Sequence, residues 1–358
     1  MSTAPVPGPQ PSGSLFLSEI REQPAALGRL LEHADEYGAV ADVARRRGLT
    51  TVRMVGHGSS DNAASYGVYA FGLLPGWTAL RDSISLSVYY GARVDLGGSC
   101  VVALSQSGRT PDVVQYVERA RSRGALTIAI TNEPDSELGR AAEAVLPLAA
   151  GPEHAVAATK TYTTQLAALA LLAGHAAGAG PVVRDGIAAV AELLDDLLPV
   201  LERRVSELAV ALAFVGRMFV IGRGPEFATA REISLKLLET CRVAAEPLTA
   251  TDLVHGPVAA LDGLFPVWTI AADDESLPSV REAAARARAA GATLVASGSA
   301  AGAIEGAAYT VPVPKPPLSL LGPLLSVAPG QLLAWALASA KGLDPDRPIG
   351  LTKVTLAL

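Results

Sequence analysis

Residues 99–124, SCVVALSQSGRTPDVVQYVERARSRG, contain the pattern that decides the fold. The continuous apolar run is typical of a strand buried on both faces, and the periodic, charged segment after the turn is typical of a helix. Residues 51–72, TVRMVGHGSSDNAASYGVYAFG, follow the same plan. Strands that alternate with helices predict an α/β fold with a doubly wound parallel sheet.

The second half of the chain repeats the plan of the first. Residues 217–239 again give a strand, a Gly-x-Gly turn and a helix, and residues 265–299 correspond to 99–124. Gly56 and Ser105 lie 49 residues apart, and Gly222 and Ala272 lie 50 residues apart. Equal spacing over this length predicts two subdomains related by internal duplication.

These repeats set the predicted boundaries along the chain. The Pro/Gly/Ser-rich start predicts disorder, and a helical stretch joins the repeats. We predict a disordered tail (residues 1–14), a first subdomain with an N-terminal helix (15–185) and a linker helix (186–208). A second subdomain (209–345) and a C-terminal tail that belongs to the active site (346–358) follow.

Composition excludes several kinds of partner. Half of the 358 residues are hydrophobic, the net charge is −6, and no basic run suggests nucleic-acid binding. Cys100 and Cys241 lie in apolar surroundings and are expected to be buried thiols in a reducing cytosol. The chain starts without a signal-peptide pattern, and the apolar stretch 166–180 favours a buried core helix over a membrane span. We expect a cytoplasmic protein without a membrane partner.

Polar side chains follow two strands, at the edge of a parallel sheet where ligands bind. Helix N-termini attract anions, and hydroxyl and amide groups can donate to phosphate oxygens. The alternative is ordinary capping of the two helices. Because two such clusters occur, we predict that phosphate contacts the following side chains: Ser59, Ser60, Ser105, Gln106, Ser107 and Thr110.

Cofactor motifs do not appear in these turns. The sequence GHGSSD departs from the dinucleotide pattern, and no phosphate-binding loop of the G-x-x-x-x-G-K-[ST] type is present. No His, Asp or Glu cluster has the spacing of metal ligands. We therefore expect neither a metal nor another cofactor.

A few charged residues suggest chemistry beyond binding. Among 29 basic residues five are Lys, including Lys236 and Lys353, although a surface position would explain each. Lys236 and Glu239 share one helix face, which could simply be solvated. His255 precedes Gly and Pro at a turn, where a histidine without any role is the alternative.

Together, the motifs SQSGRT, EHAVAATKTYTTQ, EISLKLLE, HGPVAAL and RPIGLTKVT resemble the SIS (sugar isomerase) domain family. The likeness covers residues 15–358 and is greatest to the isomerase half of glucosamine-6-phosphate synthase and to stand-alone amino-sugar-phosphate deaminases. It implies two flavodoxin-like subdomains that act on a hexose or hexosamine 6-phosphate.

The resemblance also implies a role for each matching residue. The phosphate would be held by five of the residues named above, from Ser60 to Thr110. Glu239 would move a proton between C1 and C2, and Lys236 would set the charge around it. His255 would open the sugar ring, and Lys353 would approach the carbonyl. Val156, through its backbone, and Thr352 would contact the sugar. The family's histidine comes from the neighbouring subunit, so a homodimer with shared sites is expected.

Departures from the synthase shape the predicted reaction. Ala158 stands where the synthase often has Ser, and Thr352 where it usually has Ala. No glutaminase domain or N-terminal cysteine is evident, so release of ammonia from glutamine is not expected. We predict conversion of glucosamine 6-phosphate to fructose 6-phosphate and ammonia. Alternatives are another phosphosugar isomerase, a deglycase, a synthase-like protein or a non-catalytic sugar-phosphate sensor.

Overall fold

The computed structural model describes residues 12–353. Most of the predicted tail, residues 1–11, and the end of the C-terminal segment, 354–358, lie outside the described residues. The first helix begins at Ser14, the last residue of the predicted tail. The Ser12 hydroxyl donates to Asp344 at 2.9 Å, so the entry to this helix is held by the C-terminal segment.

The first half forms a five-stranded parallel sheet in the order β2-β1-β3-β4-β5. This is the flavodoxin-like order. Every residue of β3 and β4 is buried, as their apolar sequences predict. The strands are β1 (Thr51–Val55), β2 (Thr78–Arg81), β3 (Cys100–Ser105), β4 (Leu126–Thr131) and β5 (Ala144–Pro147).

The second half repeats this topology in the order β7-β6-β8-β9-β10, again with parallel pairs. The predicted fold class is confirmed. Sequence analysis missed β2 and β7, because β2 is largely exposed, β7 is only partly buried, and neither has a continuous apolar run. The strands are β6 (Arg217–Gly222), β7 (Ala244–Thr249), β8 (Pro266–Ile270), β9 (Thr293–Gly298) and β10 (Tyr309–Pro312).

Helices surround both sheets. Pro24 divides the N-terminal helical stretch, since it occupies the first turn of a new helix. The helices of the first half are α1 (Ser14–Arg21), α2 (Gln23–Leu31), α3 (Ala34–Arg46), α4 (Ser59–Leu73), α5 (Ile84–Val88), α6 (Pro111–Ser122), α7 (Glu137–Ala141) and α8 (Lys160–Ala176). Those that follow are α9 (Gly180–Ala211), α10 (Glu226–Cys241), α11 (Ala250–Val254), α12 (Leu277–Ala289), α13 (Gly322–Ser326) and α14 (Ala328–Ala340).

The linker helix is longer than predicted. The sequence indicated residues 186–208, whereas α9 runs from Gly180 to Ala211. Pro181 explains the earlier start, because proline is favoured in the first turn of a helix. Helix α9 packs on α2, α8 and α14, so it is part of the core that unites both halves.

Apolar helices fill the space between the sheets. Helix α8 is almost completely buried, which confirms the core-helix prediction for this apolar region. Residues 319–340 are apolar and long enough to cross a membrane, but 94% of their most apolar window is buried inside the protein. Cys100 and Cys241 are free and buried, and burial raises their thiol pKa values to about 12 and 11.

Candidate functional site

A cleft of about 510 Å³ opens at the carboxyl ends of β1 and β3, with α10 contributing to the opposite wall. Ten of the twelve predicted site residues line it, and His255 and Thr352 do not. The lining consists of His57, Gly58, Ser59, Ser60, Tyr89, Leu104, Ser105, Gln106, Ser107, Thr110, Asp112, Val113, Val156, Ala158, Lys236, Glu239 and Lys353.

The loop between β3 and α6 supplies hydroxyls at one end of the cleft. Gly108 has φ +63°, and a Cβ there would lie 1.9 Å from the Ser136 hydroxyl, so this turn requires glycine. Ser105 Oγ accepts from the Gly108 N–H at 3.0 Å, and Ser107 Oγ accepts from the Arg109 N–H at 3.3 Å. Because both oxygens act as acceptors, each hydroxyl keeps its hydrogen for a ligand.

Helix capping does not account for the predicted anion residues. Thr110 and Gly58 occupy the N-cap positions of α6 and α4, and neither forms a side-chain cap hydrogen bond. Ser60 Oγ instead accepts from Gln165 Nε2 at 2.9 Å. The Ser59 hydroxyl was predicted to contact phosphate, but it donates to Glu232 Oε1 at 2.8 Å.

Helix α10 places a buried cation beside a carboxylate. Lys236 Nζ lies 2.7 Å from Glu239 Oε2 and 3.3 Å from Glu232 Oε1. The side chains of Lys236 and Glu232 are 1% and 0% exposed, whereas that of Glu239 is 23% exposed. The polar face of α10 is therefore not a solvated surface, and Glu239 is its member that is accessible from the cleft.

The surroundings of Lys236 favour its charged form. Burial alone would lower its pKa, but Glu232 and Glu239 raise it above the ordinary value. Burial raises the pKa of the Glu232 carboxyl, against the opposing effects of Lys236 and Asn62, whose Nδ2 donates to it at 2.8 Å. Lys236 is thus a fixed positive charge next to the accessible carboxylate.

Lys353 closes another side of the cleft from the C-terminal segment. Its Nζ donates to Glu153 Oε2 and to the Ala155 carbonyl, both at 2.7 Å. Burial raises the pKa of Glu153, but Lys353 and the Thr159 N–H hold it below its usual value. The Val156 N–H donates to the Asp346 carbonyl at 3.1 Å, so the Val156 backbone is held against the C-terminal segment.

Two predicted residues lie elsewhere. His255 is exposed at the C-terminal end of α11, which follows β7, an edge strand of the second sheet. Thr352 is exposed beside Lys353. The chain by itself therefore does not bring His255 into the cleft.

Sequence analysis missed a group of titratable residues at the cleft. His57 Nε2 lies 2.9 Å from Asp112 Oδ2, and the Tyr89 hydroxyl lies 3.4 Å from the same oxygen. A usable signal existed, since His57 stands inside the Gly-x-Gly turn and Asp112 in the first turn of α6. Among residues 12–353, no group of three His, Cys, Asp or Glu could hold a metal ion.

Known proteins resemble this chain along most of its length. The chain is 35% identical over 346 residues to glutamine–fructose-6-phosphate aminotransferase (isomerizing) of Pyrococcus horikoshii, covering 94% of this chain and 57% of that protein. The corresponding protein of Symbiobacterium thermophilum is 37% identical over 361 residues, covering 94% and 58%. The chain thus spans somewhat over half the length of these curated relatives.

Solved structures show the same likeness. A protein assigned as a phosphosugar isomerase from Silicibacter pomeroyi is 33% identical with a TM-score of 0.83, over 93% of this chain and 99% of that one. The C-terminal domain of glucosamine-fructose-6-phosphate aminotransferase from Francisella tularensis is 25% identical with a TM-score of 0.82, over 93% and 98%. The SIS domain profile matches residues 50–174 and 211–340. By its two repeats, its topology and its sequence, the chain belongs to the SIS domain family.

Proposed function

We propose that the protein is an enzyme that moves a proton between C1 and C2 of a hexosamine 6-phosphate, and that it converts glucosamine 6-phosphate to fructose 6-phosphate and ammonia. The observation that carries this proposal is the Glu239–Lys236 pair, which shares one cleft with a hydroxyl-rich loop. One end of the cleft suits a phosphate, and the other suits proton transfer.

The phosphate would bind at the N-terminus of α6. Ser105, Ser107 and Thr110 line the cleft there, and hydroxyls and backbone N–H groups at a helix start stabilise an anion. The Gln106 side chain lies in the same loop and supplies two further donors. Ser59 would contribute to the site indirectly, through Lys236, because its oxygen accepts a hydrogen bond from Lys236 Nζ at 3.2 Å.

Glu239 would act as the base. In the open-chain aldehyde, its carboxylate takes the C2 proton, an enolamine forms, and the proton is delivered to C1. Lys236 beside it stabilises the negative charge that develops on the substrate oxygen. The product is an imine at C2, to which water adds, and ammonia then leaves to give the ketone.

Two further residues complete the proposed site. Lys353 lies at the cleft, where its ammonium would approach the substrate carbonyl. His255 would open the sugar ring only when a second copy of the chain supplies it, since it does not line the cleft of its own chain. We therefore propose a homodimer with shared sites. The two buried free thiols support a location in the cytosol.

A second candidate is aldose–ketose isomerisation without loss of ammonia. It uses the same base and the same phosphate site, and the similarity to the Silicibacter pomeroyi protein favours it. A non-catalytic sensor would need the cleft but not the base. The substituent at C2 separates the two enzymatic reactions.

The decisive experiment incubates the purified chain with glucosamine 6-phosphate and measures ammonia and fructose 6-phosphate by coupled assays. Equal amounts of both products are expected, and unphosphorylated glucosamine should give neither. Conversion of fructose 6-phosphate to an aldose phosphate, without ammonia release from the amino sugar, would establish the second candidate. Binding without turnover of either substrate would establish the sensor.

A further inference from the structure

An anchored histidine borders the phosphate end of the cleft. The His57 backbone is fixed, because its carbonyl accepts from the Ser60 N–H at 3.0 Å. Its Nε2 contacts both carboxylate oxygens of Asp112, at 2.9 and 3.1 Å. The His57 side chain is 55% exposed and that of Asp112 only 6%. One edge of the imidazole is thus held by a buried carboxylate, and no described residue hydrogen-bonds to the other nitrogen, Nδ1.

Asp112 presents an electrostatic problem at this place. It stands two residues after Thr110, in the first turn of the helix whose N-terminus faces the cleft. A carboxylate buried beside a bound phosphate would repel it, and the Tyr89 hydroxyl at 3.4 Å offers little compensation. A protonated His57 cancels the charge of Asp112 and leaves a donor at Nδ1.

Other charged groups border the same space. Arg109 is exposed in the loop before α6, Lys236 and Glu239 line the opposite wall, and Lys353 enters from the C-terminal segment. Lys236 and Lys353 have carboxylate partners of their own. Among the cleft residues in the described chain, His57 is the basic side chain in direct contact with Asp112.

We propose that His57 and Asp112 form a specificity unit, in which the imidazolium neutralises Asp112 and donates from Nδ1 to the phosphate of the bound sugar. This inference rests on the proposed function, because it assigns the phosphate to this end of the cleft. It adds a cationic side chain to a phosphate site for which the sequence suggested hydroxyl and amide groups alone. The pair would select phosphorylated over unphosphorylated sugars.

A four-protein cycle tests this unit: the wild type, His57→Gln, Asp112→Asn and the double variant. Calorimetry measures the Kd of inorganic phosphate and of glucosamine 6-phosphate. His57→Gln should weaken both by about 10- to 100-fold, because a charge-assisted bond is lost and a bare carboxylate remains. The double variant should bind several-fold more tightly than His57→Gln, because the repelling charge is gone. Recovery of this kind would not follow from a merely structural role.

His33→Gln is the matched control. His33 also pairs with a carboxylate, Glu36 at 2.7 Å, but at the N-terminal end of α3 and away from the cleft, so both Kd values should stay unchanged. Thermal unfolding of each variant identifies a folding defect, and Asp112→Asn keeps the shape of the buried side chain. Unchanged Kd values in His57→Gln, or a double variant as weak as His57→Gln, would overturn the inference while the proposed function stands. A wild type that binds neither phosphate nor the phosphosugar overturns the proposed function itself.

Discussion

The two halves of the molecule share one topology but differ in the chemistry at the ends of their strands. After β3, the first half places hydroxyl groups at the cleft, with Ser105 and Ser107 as examples. After β8, the second half has Asp273, Asp274 and Glu275 instead. Lys315 pairs with Asp273 at 2.6 Å, and Asp274 accepts from Ser276. An acidic strand end repels phosphate, so duplication kept the fold while the loops diverged.

The second half contributes to the cleft through a helix rather than through its strand ends. Helix α10 packs on α4 of the first half, and its polar face brings Lys236 and Glu239 to the cleft. The buried apolar strands preserve the architecture of each half. Residues at strand ends and on the helix face between the halves were therefore free to diverge. In the proposed function, one half binds the phosphate and the other transfers the proton.

Glu239→Gln tests the assignment of chemistry to the second half and should have the largest effect. It keeps the shape but removes the proton acceptor, so kcat should fall by roughly 10²–10⁴ while KM changes little. Steady-state ammonia release measures both constants. Near-normal turnover would mean that the base does not lie on α10.

A mixing experiment asks whether the second half also completes the cleft of a neighbouring chain. Glu239→Ala and His255→Ala should each be inactive. Under conditions of subunit exchange about half the dimers are mixed, and one site of each is intact, so activity should return to roughly a quarter of the wild type. Mass spectrometry confirms exchange, and a mixture that then stays inactive means that both residues act within one chain.

Ser105→Ala combined with Ser107→Ala tests the assignment of binding to the first half. Loss of two charge-assisted bonds, at about 1–3 kcal/mol, should raise KM by one to two decades and leave kcat nearly unchanged. The control is Asp273→Asn at the corresponding strand end of the second half, which should not change KM. Equal effects in the two halves would contradict the division between them.

The smallest effect concerns the carboxyls at the starts of α4 and α10. Burial raises the pKa of Asp61, but Arg81 and Arg231 outweigh it and lower the pKa. Glu226 meets two hydroxyls instead, from Thr229 at 2.6 Å and Ser326 at 2.9 Å, and burial raises its pKa from 4.5 to about 7. Between pH 4.5 and about pH 7, the folded state therefore keeps a proton on Glu226 that the unfolded state has lost.

It follows that Glu226 contributes less stability as pH rises through about 7. The side chain in Glu226→Gln cannot ionise. Relative to the wild type, the free energy of unfolding of this variant should therefore rise by roughly 1–3 kcal/mol from pH 5 to pH 8. Urea unfolding at both pH values measures the difference. The exposed Glu246→Gln is the control, and a difference that is constant with pH would show that Glu226 titrates normally.

Sequence patterns predicted the central strands and the repeat well, because a strand buried on both faces must be apolar throughout. The edge strands β2 and β7 carry exposed residues, such as Thr78 and Glu246, and lack that signal. The length of α9 was underestimated because hydrophobic periodicity does not mark the ends of a helix, and the start signal at Pro181 was not used.

The candidate site divides in a similar way. Short motifs pointed to the hydroxyl loop and Glu239, which line the cleft, because these residues lie within one turn or on one helix face. The contact between His57 and Asp112 joins residues 55 positions apart, and only the parallel pairing of β1 with β3 brings their following turns together. The burial of Lys236 was also hidden, because α4 covers the face that the sequence left open to solvent.

Glu232 has a consequence for how substrate enters. This buried carboxylate of α10 accepts from Ser59 and Asn62 on α4 and contacts Lys236, so it fastens one half to the other. Separating the halves would break the hydrogen bonds from Ser59 and Asn62 and leave Glu232 with Lys236 of its own helix, at about 1.5–3 kcal/mol for each bond lost. Opening the molecule at a hinge between the repeats is therefore energetically unfavourable. Admission of substrate would then occur at the rim, where the segment around Val156 meets the C-terminal segment through the Lys353 ammonium and the Asp346 carbonyl.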